Sequence, residues 1–445
     1  MRNHRLFVII LFLFALSISS DSKAGDAVSQ TSSFNPVGSG ARAIGMGGAF
    51  IGMADDATAA SWNPGGLGQL KLAEFSLITS CFHLSENINF GTNPEGSGKH
   101  SVFKLEDINY ISMVFPFEML NYGMVIALTN QRLYDFFRNW EFTLNDSDGD
   151  IYSTADFIYE QDGSLSAFGI SYCINLIPRK LSFGFTLNFW DDQITKNSWE
   201  EKYTIKRKDT YNGKTYTNED IKNKHFKLKG FNLNLGILLY INKHFQIGAV
   251  VKTPFTANIE HRFFHHSSID GHGVDKTDVR DEKLSLPLSY GLGVAYMFSK
   301  QLYLTADIYR TEWEDYIYTN LNGTEVCPIT AKKSNQSDID PTHQFRMGLE
   351  YLFEKDAYTL PLRCGLFYDP APENKNPDDY YGFSLGTGLV LKEKGFTKKN
   401  KRFSVDFAYQ FRFGNNVGTS TLEVRNFNQD TREHKFYMSM IIYTF

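Results

Sequence analysis

The chain has 445 residues, 42% of them hydrophobic and 15% aromatic, with 38 Phe and 24 Tyr, yet its mean hydropathy is only −0.31. That combination fits strands with one face in lipid and one in a polar lumen. A net charge of −5 gives no footprint for a nucleic-acid partner, and the four cysteines (Cys81, Cys173, Cys327 and Cys364) form no CxxC pair that would suggest a zinc site or a disulfide framework.

The chain opens "MRNHRLFVIILFLFALSISSDSKAG". Arg2 and Arg5 precede a short apolar core, Leu6 to Leu16, and Ser22 and Ala24 fit a small-x-small cleavage site. Residues 1–24 therefore read as a secretory signal peptide, too short in its apolar core to span a bilayer. No cysteine near the cleavage site suggests a lipoprotein, and no later run of about 18 apolar residues suggests a helical span.

Residues 25–72 are different in kind. Gly40 to Leu67 reads "GARAIGMGGAFIGMADDATAASWNPGGL", crowded with Gly and Ala. Asn63-Pro64-Gly65-Gly66 is turn chemistry. Ile44, Met46, Phe50, Ile51, Met53 and Trp62 are residues a flexible export linker would not need. "GMGGAF" follows no strand of a βαβ unit, so it is not a dinucleotide fingerprint.

From Ala73 onward the dominant period is two. In "RFSVDFAYQFRF" (Arg402 to Phe413) the aromatic residues and Val405 share one face, and Ser404, Asp406, Gln410 and Arg412 share the other. Fourteen such segments are predicted, near 73–83, 106–116, 121–131, 164–174, 181–191, 227–240, 244–255, 284–298, 302–312, 343–353, 360–369, 381–391, 402–413 and 435–445. Their length suits tilted membrane-crossing strands. Connections after even segments are short; those after odd segments are mostly long and polar, such as Leu133 to Gly163, Thr195 to Phe226 and Glu314 to Thr342. Short periplasmic turns and long extracellular loops mark an antiparallel outer-membrane barrel. No blade-length repeat supports a propeller.

No catalytic constellation is legible, so an enzyme is not expected. His261, His265, His266 and His272 gather in one stretch that is expected to be solvated rather than to bind a metal. "NDSDGD" (Asn145 to Asp150) imitates the start of a calcium loop, but Phe157 stands where the closing Glu belongs.

The opening block resembles the N-terminal signature of the FadL/TodX/OmpP1 family of outer-membrane transporters for hydrophobic compounds: a Gly/Ala-rich segment, Ala-Asp-Asp-Ala, then Trp-Asn-Pro-Ala/Gly-Gly-Leu. "KTPFTANIE" (Lys252 to Glu260), "LSLPLSYGLGVAY", "ADIYRTEWEDY", "LRCGLFYDPAP" and the terminal "FYMSMIIYTF" are similar to it as well. The resemblance implies an all-β transmembrane barrel of about fourteen strands (73–445) with an N-terminal plug (25–72) inside the lumen. It assigns plug or gating roles to Gly47, Gly48, Asp55, Asp56, Trp62, Asn63, Pro64, Gly65 and Gly66. It implies passive uptake of a hydrophobic ligand such as a long-chain fatty acid. The protein is expected to act as a monomer without a cofactor, among outer-membrane lipid and lipopolysaccharide, after assembly by the barrel-assembly machinery. Gly65 stands where many members have Ala, and the mature N-terminus is polar, with Phe34 its only aromatic. FadL-like barrels also serve as accessory docking proteins of a protein secretion system, which is the alternative function.

Substrate contacts are expected on the inward face of the last strand, at Phe436, Met438, Met440 and Ile442, with Tyr437, Ile441, Tyr443 and Phe445 toward lipid. Adaptable Met side chains suit ligands of varied shape, although packing against the plug would use the same residues. Arg346, Arg412 and Lys252 fall on inward faces near the outer ends of their strands, where a cation could hold a carboxylate. The competing role is a lumen ion pair with Asp406 or with a plug acid such as Asp55.

Overall fold

The computed structural model describes residues 38–91, 96–148, 151–392, 401–419 and 427–444. The signal peptide, residues 25–37 and Phe445 lie outside that range, as do Gly149 and Asp150 at the end of the calcium-like stretch.

Two short helices come first, α1 (Ala41–Gly45) and α2 (Ala59–Trp62), followed by a 3-10 turn at Pro64–Gln69. The strands follow in chain order: β1 (Ala73–Phe90), β2 (Gly98–Met119), β3 (Tyr122–Asp148), β4 (Ile151–Ile177), β5 (Leu181–Asp191), β6 (Asn197–Tyr211), β7 (Lys214–Tyr240), β8 (Phe245–Lys252), β9 (Phe255–Ile269) and β10 (His272–Leu286). After them come β11 (Ser289–Met297), β12 (Leu302–Thr311), β13 (Ile317–Thr319), β14 (Glu325–Val326), β15 (Thr342–Glu354), β16 (Tyr358–Tyr368), β17 (Tyr381–Lys392), β18 (Lys401–Val417) and β19 (Phe427–Thr444).

Among the described residues these nineteen strands form one sheet. Its ladders run from β1 through β2, β3, β4 and β5 to β7, β8, β11 and β12, then through β15 to β19, and β19 pairs back with β1. Five strands (β6, β9, β10, β13 and β14) lie outside that closed ring, which leaves fourteen in it. Closure leaves no sheet edge within the ring. Outward faces carry large exposed apolar residues such as Met113, Phe115, Phe345, Leu366, Leu385 and Phe407. So much uncovered apolar surface is stable only against lipid.

Three expectations need correction. Leu133 to Gly163 is not a loop: its described residues continue β3 to Asp148 and begin β4 at Ile151, paired from Tyr134 with Leu165 out to Asp148 with Ile151. Thr195 to Phe226 is not a loop: it forms β6 and the upper half of β7, which pair with each other and extend the wall past β4 and β9. On β6 the outward face is polar throughout (Ser198, Glu200, Lys202, Thr204, Lys206) and the other mixes Trp199 and Tyr203 with Glu201 and Arg207, so no apolar lipid-facing stripe marks the strand. The eighth segment, 284–298, is not one strand. It breaks at Pro287 and Leu288: below the break β11 pairs with β8, and above it β10 pairs with β9. Pro lacks the N–H that a continuous ladder would need. Pro254 marks the matching break between β8 and β9.

Candidate functional site

The N-terminal segment lies inside the ring. Met46, Phe50, Ile51, Met53, Trp62 and Leu67 form one buried cluster with Val114, Val125, Val250 and Tyr309 of the wall. Small residues allow this because backbone meets backbone. A Cβ on Gly65 would sit 2.9 Å from the Gly236 carbonyl carbon, one on Gly52 would sit 2.6 Å from that of Val294, and one on Gly45 would sit 3.0 Å from Gly386 Cα. The wall answers with its own glycines, paired across strands as Gly184 with Gly236, Gly248 with Gly293, and Gly348 with Gly365. Sequence reasoning missed these wall glycines. A glycine inside a strand, which marks close approach of another backbone, was the available signal.

The predicted plug residues have specific contacts. Gly47 and Gly48 take φ of 70° and 74°, a left-handed turn that suits glycine. Gly47 N donates to Ser384 Oγ (2.7 Å). Trp62 Nε1 donates to the Ser39 carbonyl (2.8 Å), and its ring meets Phe50 edge-on. Asn63 caps the turn that begins at Pro64: its Oδ1 accepts from Gly65 N (3.0 Å), and its Nδ2 donates to the carbonyls of Ile51 (2.9 Å) and Ile237 (3.0 Å). Gly66 packs against Ala54. Asp56 accepts from Thr58 N and Oγ1. On the wall, Asp307 Oδ2 accepts from Phe50 N (2.6 Å) and Ile51 N (2.8 Å).

An ion-pair chain crosses from segment to wall. Arg42 binds Asp55 (2.6 Å) and grips Glu350 with Nε and Nη2, each at 2.9 Å. Glu350 also accepts from Arg363 Nε (2.7 Å), and Arg363 Nη1 binds Asp406 (2.7 Å). Arg42, Glu350 and Arg363 were not singled out from the sequence. The parity that puts Arg346 inward puts Glu350 inward too.

Arg346, Arg412 and Lys252 all point inward. The first two share one counter-ion, Asp369: Arg346 Nη2 lies 3.2 Å from Oδ1, and Arg412 Nε lies 3.5 Å from Oδ2. Arg346 also donates to the Gly47 carbonyl (3.0 Å), and Arg412 lies 3.8 Å over the Tyr380 ring. The counter-ion is therefore neither Asp406 nor Asp55, which bind Arg363 and Arg42. The Lys252 ammonium lies 5.8 Å from the Tyr309 ring.

The last strand is turned the other way from expectation. Phe436, Met438 and Ile442 are 50%, 45% and 37% exposed on the outer face, and Met440 shares that face. Tyr437, Ser439, Ile441 and Tyr443 point inward. The cause is local: Ser439 sits opposite the inward Asp406 in the ladder, and its Oγ accepts from Ala41 N (2.6 Å). His261, expected in a solvated stretch, is buried against Phe226 with Nδ1 2.8 Å from Glu282 Oε2.

Above the N-terminal segment lies a cavity of about 60 Å³, lined by Lys252, Tyr309, Trp190, Phe255, Leu286 and Trp313 among others. Beside it the wall is interrupted. The β7–β8 ladder ends at Asn234 opposite Lys252, and the β7–β9 ladder begins at Lys229 opposite Asn258. Thr253 bridges the interval by exchanging hydrogen bonds with Leu233. A recess of about 650 Å³ opens there, bordered by the outward Phe189, Phe231 and Lys229. Trp190, Asn232, Thr253 and Phe255 border both spaces. Trp190 stacks on Phe255 (5.7 Å) and donates to Asn232 Oδ1 (3.0 Å), so three of these four residues hold one another between the two spaces.

Comparison with known proteins agrees with this geometry. The sequence matches the outer membrane protein transport protein (OMPP1/FadL/TodX) model over residues 17–439. No curated protein matches the chain. Among solved structures, a Pseudomonas aeruginosa FadL homologue is 13% identical, with 91% of this chain and 98% of that one covered at a TM-score of 0.59. The Ralstonia pickettii toluene transporter TbuX is 13% identical (93% and 100% covered, TM-score 0.55). The Pseudomonas putida toluene transporter TodX is 14% identical (92% and 99% covered, TM-score 0.53). The chain belongs to the OmpP1/FadL/TodX family of outer-membrane transport proteins.

Proposed function

We propose that this barrel takes up hydrophobic small molecules passively, long-chain fatty acids or related compounds among them, and releases them sideways through the wall between β7 and the β8–β9 break. The observation that carries this reading is the pair of spaces on either side of one four-residue partition. The N-terminal segment acts as a plug that fills the lumen below, so a straight axial path is blocked. A hydrophobic solute gains roughly 0.8 kcal/mol for each CH₂ removed from water, so an apolar path into the membrane is downhill. The long hairpins face the cell exterior, as in other outer-membrane barrels. Rotation of Trp190 away from Phe255 would join cavity and recess. The protein has no catalytic role and needs no cofactor in this reading.

The test blocks the recess from outside. The four native cysteines are replaced by alanine, Thr256→Cys is introduced, and a bulky thiosulfonate is attached to it. Uptake of labelled oleate by cells should fall to the level of a barrel-deletion strain and return when the adduct is reduced. Uptake untouched by the adduct would rule out this exit. Wild-type cells that take up no more label than the deletion strain would remove the transport reading and leave a secretion-system docking role.

A further inference from the structure

The short turns at the end of the barrel away from the long hairpins repeat one pattern. In the β4–β5 turn Ile177 is followed two residues later by Arg179, and in the β7–β8 turn Ile241 is followed by Lys243. In the β11–β12 turn Phe298 is followed by Lys300, and in the β15–β16 turn Phe353 is followed by Lys355. The apolar member is uncovered each time: Ile177 is 47% exposed, Ile241 51%, Phe298 57% and Phe353 46%. All four cations are exposed as well. Lys180 and, at the foot of β17, Lys392 add to them, against Glu354 and Asp356.

These turns are neighbours around the ring, because β5 pairs with β7, β8 with β11 and β12 with β15. Backbone bonds fasten each to the next. Tyr240 N donates to the Lys180 carbonyl (2.8 Å), Met297 N to that of His244 (2.8 Å), Leu352 N to that of Gln301 (2.8 Å) and Lys392 N to that of Ala357 (2.9 Å). The cations therefore stand along one continuous arc of the rim. Among the described residues no ion pair engages Arg179, Lys180, Lys243 or Lys300. The β2–β3 turn is a contrast within the same molecule. Met119 and Leu120 are 52% and 79% exposed there, but the neighbouring charge is Glu118 and the turn holds no cation.

An uncovered apolar side chain at the foot of an outward face reaches acyl chains, and a Lys or Arg stem runs along such surface while its head stays in the polar layer. Each apolar-then-cation pair thus sets a positive charge at the depth of lipid phosphates. A soluble acidic partner would use the charges but would not need an apolar residue beside each. We propose that this arc binds the headgroups of anionic phospholipids, phosphatidylglycerol or cardiolipin, in the periplasmic leaflet of the outer membrane. It rests on the orientation that puts the long hairpins outside the cell, not on uptake.

The test uses the full barrel in vesicles. Phe298→Trp sets a reporter two residues from Lys300. The native Trp62, Trp140, Trp190, Trp199 and Trp313 are buried, so wild type supplies the blank. Quenching by brominated phosphatidylglycerol and by brominated phosphatidylcholine gives the relative affinity of the two lipids at that place. Phosphatidylglycerol should be preferred about five-fold at low salt, the effect of one cation near an anionic surface. Adding Lys300→Gln should bring the ratio near one, and adding Lys300→Arg should keep it. Leu120→Trp, on the turn without a cation, should report a ratio near one from the start. Equal ratios at the two turns, or a ratio that Lys300→Gln does not move, would overturn the proposal and leave the arc to a soluble acidic partner. Orientation is tested separately: with the four native cysteines replaced by alanine, Asn242→Cys should react with an impermeant maleimide only after the outer membrane is permeabilised. Labelling in intact cells would overturn the assignment to the periplasmic leaflet. No transported ligand enters either assay, so failure here and failure of the uptake reading are distinguishable.

Discussion

Gly236→Val tests how the plug is seated. Gly236 lies on β7 opposite Gly184, and a Cβ there would strike Asn63 Oδ1 and stand 2.7 Å from Gly65 N and 2.8 Å from Pro64 Cδ. Ordinary contact begins near 3.4 Å, so the backbone of the Asn63–Pro64–Gly65 turn must retreat by at least about 0.7 Å, and Asn63 Oδ1 by more, before the two valine methyls are counted. Retreat would stretch the bonds from Asn63 Nδ2 to Ile237 and from Ser182 Oγ to the Gly65 carbonyl, now 3.0 and 2.6 Å. Overpacking of this kind costs about 1–3 kcal/mol. At roughly 1.4 kcal/mol per tenfold, the unseated population should rise about 5- to 150-fold. The β7 ladder itself tolerates valine, so the barrel should still assemble. The assay is single-channel conductance in planar bilayers, with Gly98→Val as control because a Cβ there meets nothing within 4 Å. More frequent openings in Gly236→Val alone are expected. If both variants match wild type, glycine-to-glycine contact does not seat the plug.

Four further outcomes are expected. Deleting Ala41 to Gly66 should leave a barrel that assembles and conducts strongly; near-zero conductance would mean these residues do not occlude the lumen. Glu350→Ala removes the carboxylate shared by Arg42 and Arg363, and loss of a buried partner costs about 3–5 kcal/mol, which should appear as a lower Tm in detergent; an unchanged Tm would show the chain to be dispensable. Met438→Arg places a charge toward lipid and should cost up to about 2–4 kcal/mol in urea unfolding from vesicles while ligand Kd stays fixed; a change in Kd alone would restore the inward orientation. In the β16–β17 loop, burial, reinforced by Glu373 and Asp379, pushes the Asp378 carboxyl up to about 7 against a bond from Gly418 N. Its folded pKa is thus above its unfolded value, so its contribution is full at low pH and is lost as pH rises from about 4 to 7. Hydrogen exchange of this loop should quicken over that window in wild type and not in Asp378→Asn.

Much of this protein was legible in one dimension. Alternation in "RFSVDFAYQFRF" fixed which way Arg412 and Asp406 point, because aromatic and charged residues differ sharply in hydropathy and only one face meets lipid. The same contrast gave the strand count and put Arg346 inward. Small residues in Gly40 to Leu67 announced a segment packed backbone to backbone. Where the contrast vanished, so did the reading. In "FYMSMIIYT" both faces are apolar, and no periodicity can choose between them; the ladder chose, by setting Ser439 opposite Asp406. Along β6 and upper β7 one face is polar and the other mixes charges with rings, so no apolar lipid-facing stripe marks the strand, and strand passed for loop. The partners of the inward charges lay further out of reach. Glu350 meets Arg42, 308 positions earlier in the chain, and Asp369 collects both Arg346 and Arg412. Such pairings depend on strand register and on how the plug lies in the lumen, and only the closed barrel sets those distances.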